Sequence, residues 1–173
     1  MLEAELIENL KRRDETSLIE LVNTYKKKIT SFCYHYTLNY HDAEDVSQEV
    51  FLSFYKSIGS FRAECSLSTY LYRIAISKCL DYKRKKNIGQ FLKGLFRYHQ
   101  EADYDWEETN EVRQCVLALP EKLKVPVILF YYTGLTQAEI ANVLSISPKS
   151  VEGRIYRAKQ KLKVQLQERG CIE

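Results

Sequence analysis

Residues 135–162, LTQAEIANVLSISPKSVEGRIYRAKQKL, decide the fold class. Thr136 followed by Glu139 has the spacing of a capping box, in which side chain and backbone at a helix start satisfy each other's hydrogen bonds. The helix that follows turns Ile140, Ala141 and Leu144 inward and stops at the three-residue turn Ser145-Ile146-Ser147. Ser147 caps the next helix, and Pro148 takes its first position, where no N–H is needed. Two helices joined this tightly form a helix-turn-helix. At 100° per residue, Val151, Ile155, Ala158 and Leu162 fall within a stripe about 60° wide. Lys149, Gly153, Tyr156, Arg157 and Gln160 lie opposite, and a basic, hydrogen-bonding face at the start of a second helix suits the major groove of duplex DNA. Gly153 costs about 1 kcal/mol relative to alanine in mid-helix, which makes sense where something must come close. The alternative is a solvated basic face in an ordinary helical domain.

Outward from this stretch, the rest of the chain also reads as helix. Its three prolines fall at 120, 126 and 148. From Leu18, the residues Leu21, Tyr25, Ile29, Phe32 and Tyr36 recur at threes and fours, the spacing of one helix face. Another helix starts near His41. A break, SIGSFRAECS, ends at Ser66, a candidate N-cap for LSTYLYRIAISKCLDYKRKK, which is apolar nearly all round until Lys83. Periodicity then fades, and Gly89 and Gly94 interrupt it. The expected class is all-α: two small helical domains, 1–88 and 110–173, joined by a flexible linker over 89–109.

With 173 residues and 45% hydrophobic content, the chain has enough apolar material for such cores. It has no apolar run of the roughly 18 residues that span a bilayer, and its N-terminus lacks a signal peptide's apolar core. A cytoplasmic location is expected. The cysteines at 33, 65, 79, 115 and 171 are odd in number and scattered, as reduced packing thiols are. Cys33, His35 and His41 match no standard zinc spacing, so no metal or other cofactor is expected.

The net charge is only +3, yet charge is strongly sorted along the chain. Residues 81–97 hold six basic side chains against Asp81, a net of +5. Residues 101–111 carry a net of −6, and residues 149–169 a net of +5. Two basic patches with an acidic segment between them suggest contact with nucleic acid at two places.

The stretch DAEDVSQEVF, 42–51, runs against this pattern. On a helical wheel Asp42, Asp45 and Glu49 share a stripe about 60° wide, with Gln48 and Leu52 on its outward side and Ala43, Val46, Val50 and Phe54 on the buried face. A metal site or an acid–base pair needs carboxylates that converge in a pocket, and an open stripe does not converge. A carboxylate–metal nuclease built on these three acids is therefore disfavoured, and no catalytic residue is expected. Phosphates repel the stripe. A protein partner with basic side chains and a small apolar spot fits it, the alternative being a solvated face that favours the helix start.

Three segments, DAEDVSQEVFLSFYKSIGSF, RAECSLSTYLYRIAISKCLDYKRKK and ALPEKLKVPVILFYYTGLTQAEIANVLSISPKSVEGRIYRAKQKL, occur in this order. Together they resemble the sigma-70 family of bacterial sigma factors, in its extracytoplasmic-function (ECF) group, over most of residues 15–165. The resemblance implies a sigma2 domain, a linker and a sigma4 domain in a protein that is not an enzyme. Such a protein binds core RNA polymerase and directs it to promoters. It implies that Asp42, Asp45, Gln48, Glu49 and Leu52 dock on the clamp helices of the polymerase β′ subunit, with the β flap as a further contact. It implies that Phe61, Arg62 and Ala63 to Ser66 form a loop that captures a flipped base of the −10 element. Tyr70, Tyr72, Arg73, Ser77, Lys78, Lys83, Arg84 and Lys85 supply aromatic and polar groups nearby, although Tyr70 and Tyr72 read equally well as core. Lys149, Ser150, Glu152, Gly153, Tyr156, Arg157 and Lys159 are the candidates for reading the −35 element, with Arg154 and Lys161 as phosphate contacts.

Many relatives carry Trp where this chain has Tyr70 and Asn where it has Ser77. A hydroxyl does not reproduce a two-point amide contact, so base preference in the −10 element is expected to differ. An anti-sigma partner, membrane-associated or soluble, is expected by analogy, and no small-molecule substrate. The competing reading is a stand-alone helix-turn-helix regulator whose N-terminal part dimerises.

Overall fold

The computed structural model describes residues 3–95 and 111–170, with the backbone alone for 89–95. The chain starts with α1 (Glu3–Lys11), α2 (Glu15–Thr37) and α3 (Tyr40–Ser57), then a single 3-10 turn (Ile58–Ser60) and α4 (Leu67–Leu95). After the segment outside the described residues come α5 (Glu111–Ala118), α6 (Glu121–Tyr131), α7 (Gln137–Leu144) and α8 (Pro148–Glu168). No strand occurs among the described residues.

The helix boundaries follow from short polar side chains. Asp14 accepts from the Ser17 N–H at 2.7 Å to start α2, and Asn39 accepts from the Asp42 N–H at 2.9 Å to start α3. Between them α2 ends on Leu38 in the left-handed region, φ 52°, which turns the chain back so that α3 lies along α2. Ser66 caps α4 through the Thr69 N–H, as its position suggested, but a second acceptor comes from far away in sequence. The Glu3 carboxylate takes the Leu67 N–H at 2.7 Å and ties α1 to the start of α4.

α2, α3 and α4 pack on one another around Leu21, Ile29, Phe32, Val50, Phe54 and Leu71, all fully buried, and α1 adds Leu10. The C-terminal helices bury Ile128, Leu129, Ile140, Val151 and Ala158, and this apolar cluster is continuous with that of the N-terminal helices. Val143, which the helical wheel left out, is buried there, and Leu144 is only half-buried.

α4 runs 29 residues, about 43 Å at 1.5 Å per residue, well into the segment expected to be linker. Residues 89–95 contain no proline, and two glycines at about 1 kcal/mol each do not stop a helix that is already nucleated. The remainder of the expected linker, 96–109, lies outside the described residues. The two helical groups touch: α7 lies on α4, and α5 and α6 reach α2.

Candidate functional site

Three surfaces of different chemistry stand on separate helices. The first is on α3. Asp45, Gln48, Glu49 and Leu52 are exposed, Leu52 at 58%, while Ala43, Val46, Val50 and Phe54 form the buried face. Asp42 departs from the open stripe: it is half-buried and accepts a hydrogen bond from the Tyr82 hydroxyl, with Lys86 of α4 3.9 Å away. Glu49 stands 3.8 Å from Lys78. Beside the stripe, a groove of about 710 Å³ runs between α2 and α3, with Leu18, Val22, Phe51, Leu52, Gln48 and Tyr55 among its walls. The α2 side of this groove was not foreseen, although Leu18 and Val22, four residues apart, were its signal.

The second surface surrounds the loop 61–66. Arg62, Ala63 and Ser66 are exposed, and Ala63 sits at φ 56°, where only a few per cent of non-glycine residues are found. Phe61 instead points inward and is 7% exposed. It stacks on half-buried Tyr70 at 4.8 Å between ring centroids, and the Tyr70 hydroxyl donates to Ser57 at 2.7 Å. Phe61 thus holds the loop from beneath rather than offering an aromatic face. Ser77, Arg84 and Lys85 are exposed along α4, and Lys78 is half-buried.

Two α4 side chains expected at this surface, Arg73 and Lys83, are engaged by the C-terminal helices, and a third, Tyr72, is buried. Arg73 donates from Nε to the Val143 carbonyl at 3.1 Å, and from Nη2 to the Asn142 carbonyl at 2.6 Å and the Ser145 hydroxyl at 3.0 Å. A cation at the end of α7 meets the helix's last carbonyls and the negative end of its dipole. Lys83 pairs with Glu121 of α6 at 2.6 Å. Tyr72 is 1% exposed, edge-on to Phe32, so of the two readings for this ring the structure takes the core one.

Around Glu121 an electrostatic cluster forms that charge counting along the sequence missed. The carboxylate also accepts from Lys124, 1% exposed, at 3.0 Å and from the Tyr36 hydroxyl at 3.3 Å. Burial pushes the Glu121 carboxyl up, but the two lysines outweigh it and hold it below its ordinary range. Burial pushes Lys124 down, whereas its hydrogen bond to Glu121 raises Lys83. Close by, His35 stacks on Tyr132 at 3.6 Å, and burial together with the Arg113 charge holds its imidazole down to about 4. Cys33 and His35 are buried in separate contacts and His41 is exposed, so the three do not converge.

The third surface is α8. Both halves of the Thr136–Glu139 capping box are formed, and Ser147 caps α8 with Pro148 in its first turn. Ser145 takes φ 53° in the turn. Val151, Ile155 and Ala158 are buried. Lys149, Ser150, Glu152, Tyr156, Arg157, Lys159 and Lys161 are exposed, Tyr156 at 62%, and Arg154 is half-buried. A Cβ added at Gly153 would meet nothing within 4 Å, so packing inside the protein does not require glycine there.

Comparison with known proteins joins these surfaces. The family model Sigma-70 region 2 matches residues 21–88, and Sigma-70, region 4 matches residues 109–162. The ECF RNA polymerase sigma factor SigW of Bacillus subtilis is 34% identical over 94% of this chain and 95% of its own. This chain belongs to the ECF group of the sigma-70 family. The RNA polymerase sigma-H factor of Pseudomonas aeruginosa is 28% identical over 94% of this sigma factor and 93% of its own length. The fold of this ECF factor is shared with CnrH, solved in complex with the cytosolic domain of CnrY, at a TM-score of 0.74 and 23% identity over 96% and 97% of the two chains. A match spanning both helical groups sets aside the stand-alone helix-turn-helix regulator. Region 2 of the family begins at residue 21, so α1, with its Glu3 cap, lies before it.

Proposed function

We propose that this ECF factor docks on core RNA polymerase through the exposed acids of α3 and the α2–α3 groove, and reads a promoter with its two basic surfaces. The observation that carries this is the segregation of chemistry: exposed acids on α3 beside a largely apolar groove between α2 and α3, and cations on α4 and α8. The groove, with Gln48 and Leu52 in its wall, and the exposed Asp45 and Glu49 of the same helix together suit the clamp helices of the β′ subunit. The loop 61–66, with Arg62 and Ser66 exposed, takes a flipped base of the −10 element, while Ser77, Lys78, Arg84 and Lys85 follow the strand backbone.

The exposed start of α8 enters the major groove at the −35 element. There Arg157 and Lys149 offer the donors that guanine accepts, and Arg154 and Lys161 meet phosphates. The C-terminal helices also meet the β flap. The protein is not an enzyme and works in the cytoplasm, and no helix among its described residues is long and apolar enough to cross a membrane. An anti-sigma partner restrains it. The support is analogy: the structural neighbour CnrH was solved with the cytosolic domain of CnrY.

Run-off transcription on genomic fragments tests this reading. The purified chain alone binds promoters poorly, and adding core polymerase yields specific transcripts. No specific transcript on fragments that hold the cognate promoter overturns it.

A further inference from the structure

We propose that α1 positions the loop 61–66 for its base: Glu3 at the start of α1 and Arg13 just past its end brace the two helix ends from which that loop hangs. This rests on the base-capturing function proposed for the loop above.

The loop joins the end of α3, through the 3-10 turn, to the start of α4. Its six residues could span about 20 Å if extended, so the loop itself does not fix how those ends stand. On the core side Tyr70 of α4 already links them, by its stack on Phe61 and its hydrogen bond to Ser57. α1 supplies a second link. It lies against the 3-10 turn, with Ile7 and Leu10 buried. The Glu3 carboxylate accepts the Leu67 N–H, the first of α4, at 2.7 Å. Arg13 donates from Nη1 to the Tyr55 carbonyl in the last turn of α3 at 2.8 Å, its guanidinium 4.3 Å from the centre of the Tyr55 ring.

Both backbone groups are among those a helix cannot satisfy by itself. An anion at a helix start and a cation at a helix end are also the placements that both dipoles favour. The loop between needs such support. Ala63 sits at φ 56°, and a residue held in that region persists only where its surroundings over-determine it. Arg62, Ala63 and Ser66 are exposed, so the constraint has to come from the loop's two ends. Glu3 and Arg13 are thus positioning residues: they act on the base through the loop and need not touch DNA.

The test uses the full chain with saturating core polymerase, on a promoter found by run-off transcription and on single-base substitutions of its −10 element. The readout is the ratio of transcript from the cognate element to transcript from the least tolerated substitution. Glu3→Ala is expected to lower this ratio about fivefold, within the range of one net hydrogen bond. Glu3→Gln keeps an oxygen acceptor and is expected to stay within about twofold of wild type. Arg13→Ala is expected to lower the ratio from the other end. Asn39→Ala removes a cap at the far end of α3 and is expected to lose stability but not base preference, which separates positioning from folding. A second readout needs no DNA. Cys65, half-buried in the loop, is expected to be alkylated about fivefold faster in Glu3→Ala and Arg13→Ala but not in Asn39→Ala, as followed in its own peptide by mass spectrometry. Circular dichroism confirms that the helices remain. Arg13 is exposed, so its variant decides should Glu3→Ala not fold.

A Glu3→Ala chain with the wild-type ratio and the wild-type Cys65 rate overturns the proposal. So does an Asn39→Ala chain that loses base preference to the same degree. Faster Cys65 alkylation with base preference intact also overturns it, since α1 would then hold the loop without aiming it. Replacing Arg62 and Ala63 together by glycine tests the loop's function itself. If base preference survives that change, the base-capturing function fails and the proposal with it. If preference falls there but not in Glu3→Ala or Arg13→Ala, the role of α1 fails alone.

Discussion

Lowering the pH from 7 to 5 is expected to destabilise this protein by about 2 kcal/mol through one side chain, His35. Its imidazole is held down to about 4 against an ordinary value of about 6.5, first by burial and then by the Arg113 guanidinium. The residue is 9% exposed, its ring stacked on Tyr132 and edge-on to Tyr34. Between pH 6.5 and 4 the unfolded chain binds the proton that the folded chain refuses. Stability is therefore fully present above 6.5 and falls with pH by up to about 1.4 kcal/mol per unit towards 4. Integrated from pH 7 to pH 5, the loss is about 2 kcal/mol, a large share of the 5–15 kcal/mol typical of a domain. Urea unfolding at the two pH values reads it as a shift in midpoint. His35→Phe keeps a ring against Tyr132 but cannot titrate, so its pH slope is flatter by the same amount. Proton NMR of the histidine ring signals, with the His35 signal identified by its loss in that variant, measures the titration directly. A His35 midpoint near 6.5, or equal pH slopes for wild type and His35→Phe, refutes the reasoning.

Three further outcomes are expected. Thr136→Ala removes the hydroxyl that takes the Glu139 N–H and costs about 1 kcal/mol in thermal unfolding, with weaker −35-dependent transcription following from a loosened α7; unchanged stability refutes the role of the cap. Leu52→Lys at the mouth of the α2–α3 groove weakens binding to core polymerase about tenfold, the equivalent of about 1.4 kcal/mol of lost burial, while helicity by circular dichroism stays as in wild type; equal affinity removes the groove from the docking surface. Glu3→Ala leaves the Leu67 N–H without its acceptor, lowers stability by about 1 kcal/mol and speeds exchange of that amide, whereas Glu3→Gln keeps an acceptor and most of the protection.

Local rules were readable where the chain obeys them locally. The capping box, the Ser147–Pro148 start of α8 and its Val151–Ile155–Ala158 stripe depend on residues within a few positions of one another, and all three form as read. The acidic stripe of α3 is likewise a matter of helix periodicity, and Asp45, Glu49 and Leu52 are exposed as the wheel places them. What escaped is non-local. Asp42 lies on the same wheel stripe, but Tyr82 and Lys86, about forty residues later, draw it against α4. Phe61 and Tyr72 carry side chains that serve as well in a core as on a strand, and only the packing of Tyr70 and Phe32 against them decides. Glu121 and Lys124 looked like ordinary charges at a helix start, because their partners Lys83 and Tyr36 lie on helices that nothing near residue 121 announces.

The Arg73 fork has a consequence for how such a protein changes over generations. Two of its three acceptors are backbone carbonyls, which no substitution in α7 removes, and the third is a serine hydroxyl. A lineage that altered Arg73 would leave the end of α7 without these donors, and no change within α7 itself would restore them. The polar junction of α4 with α7 thus rests on a single side chain from one helix and chiefly on main chain from the other, so drift is felt at Arg73 and hardly at all along α7.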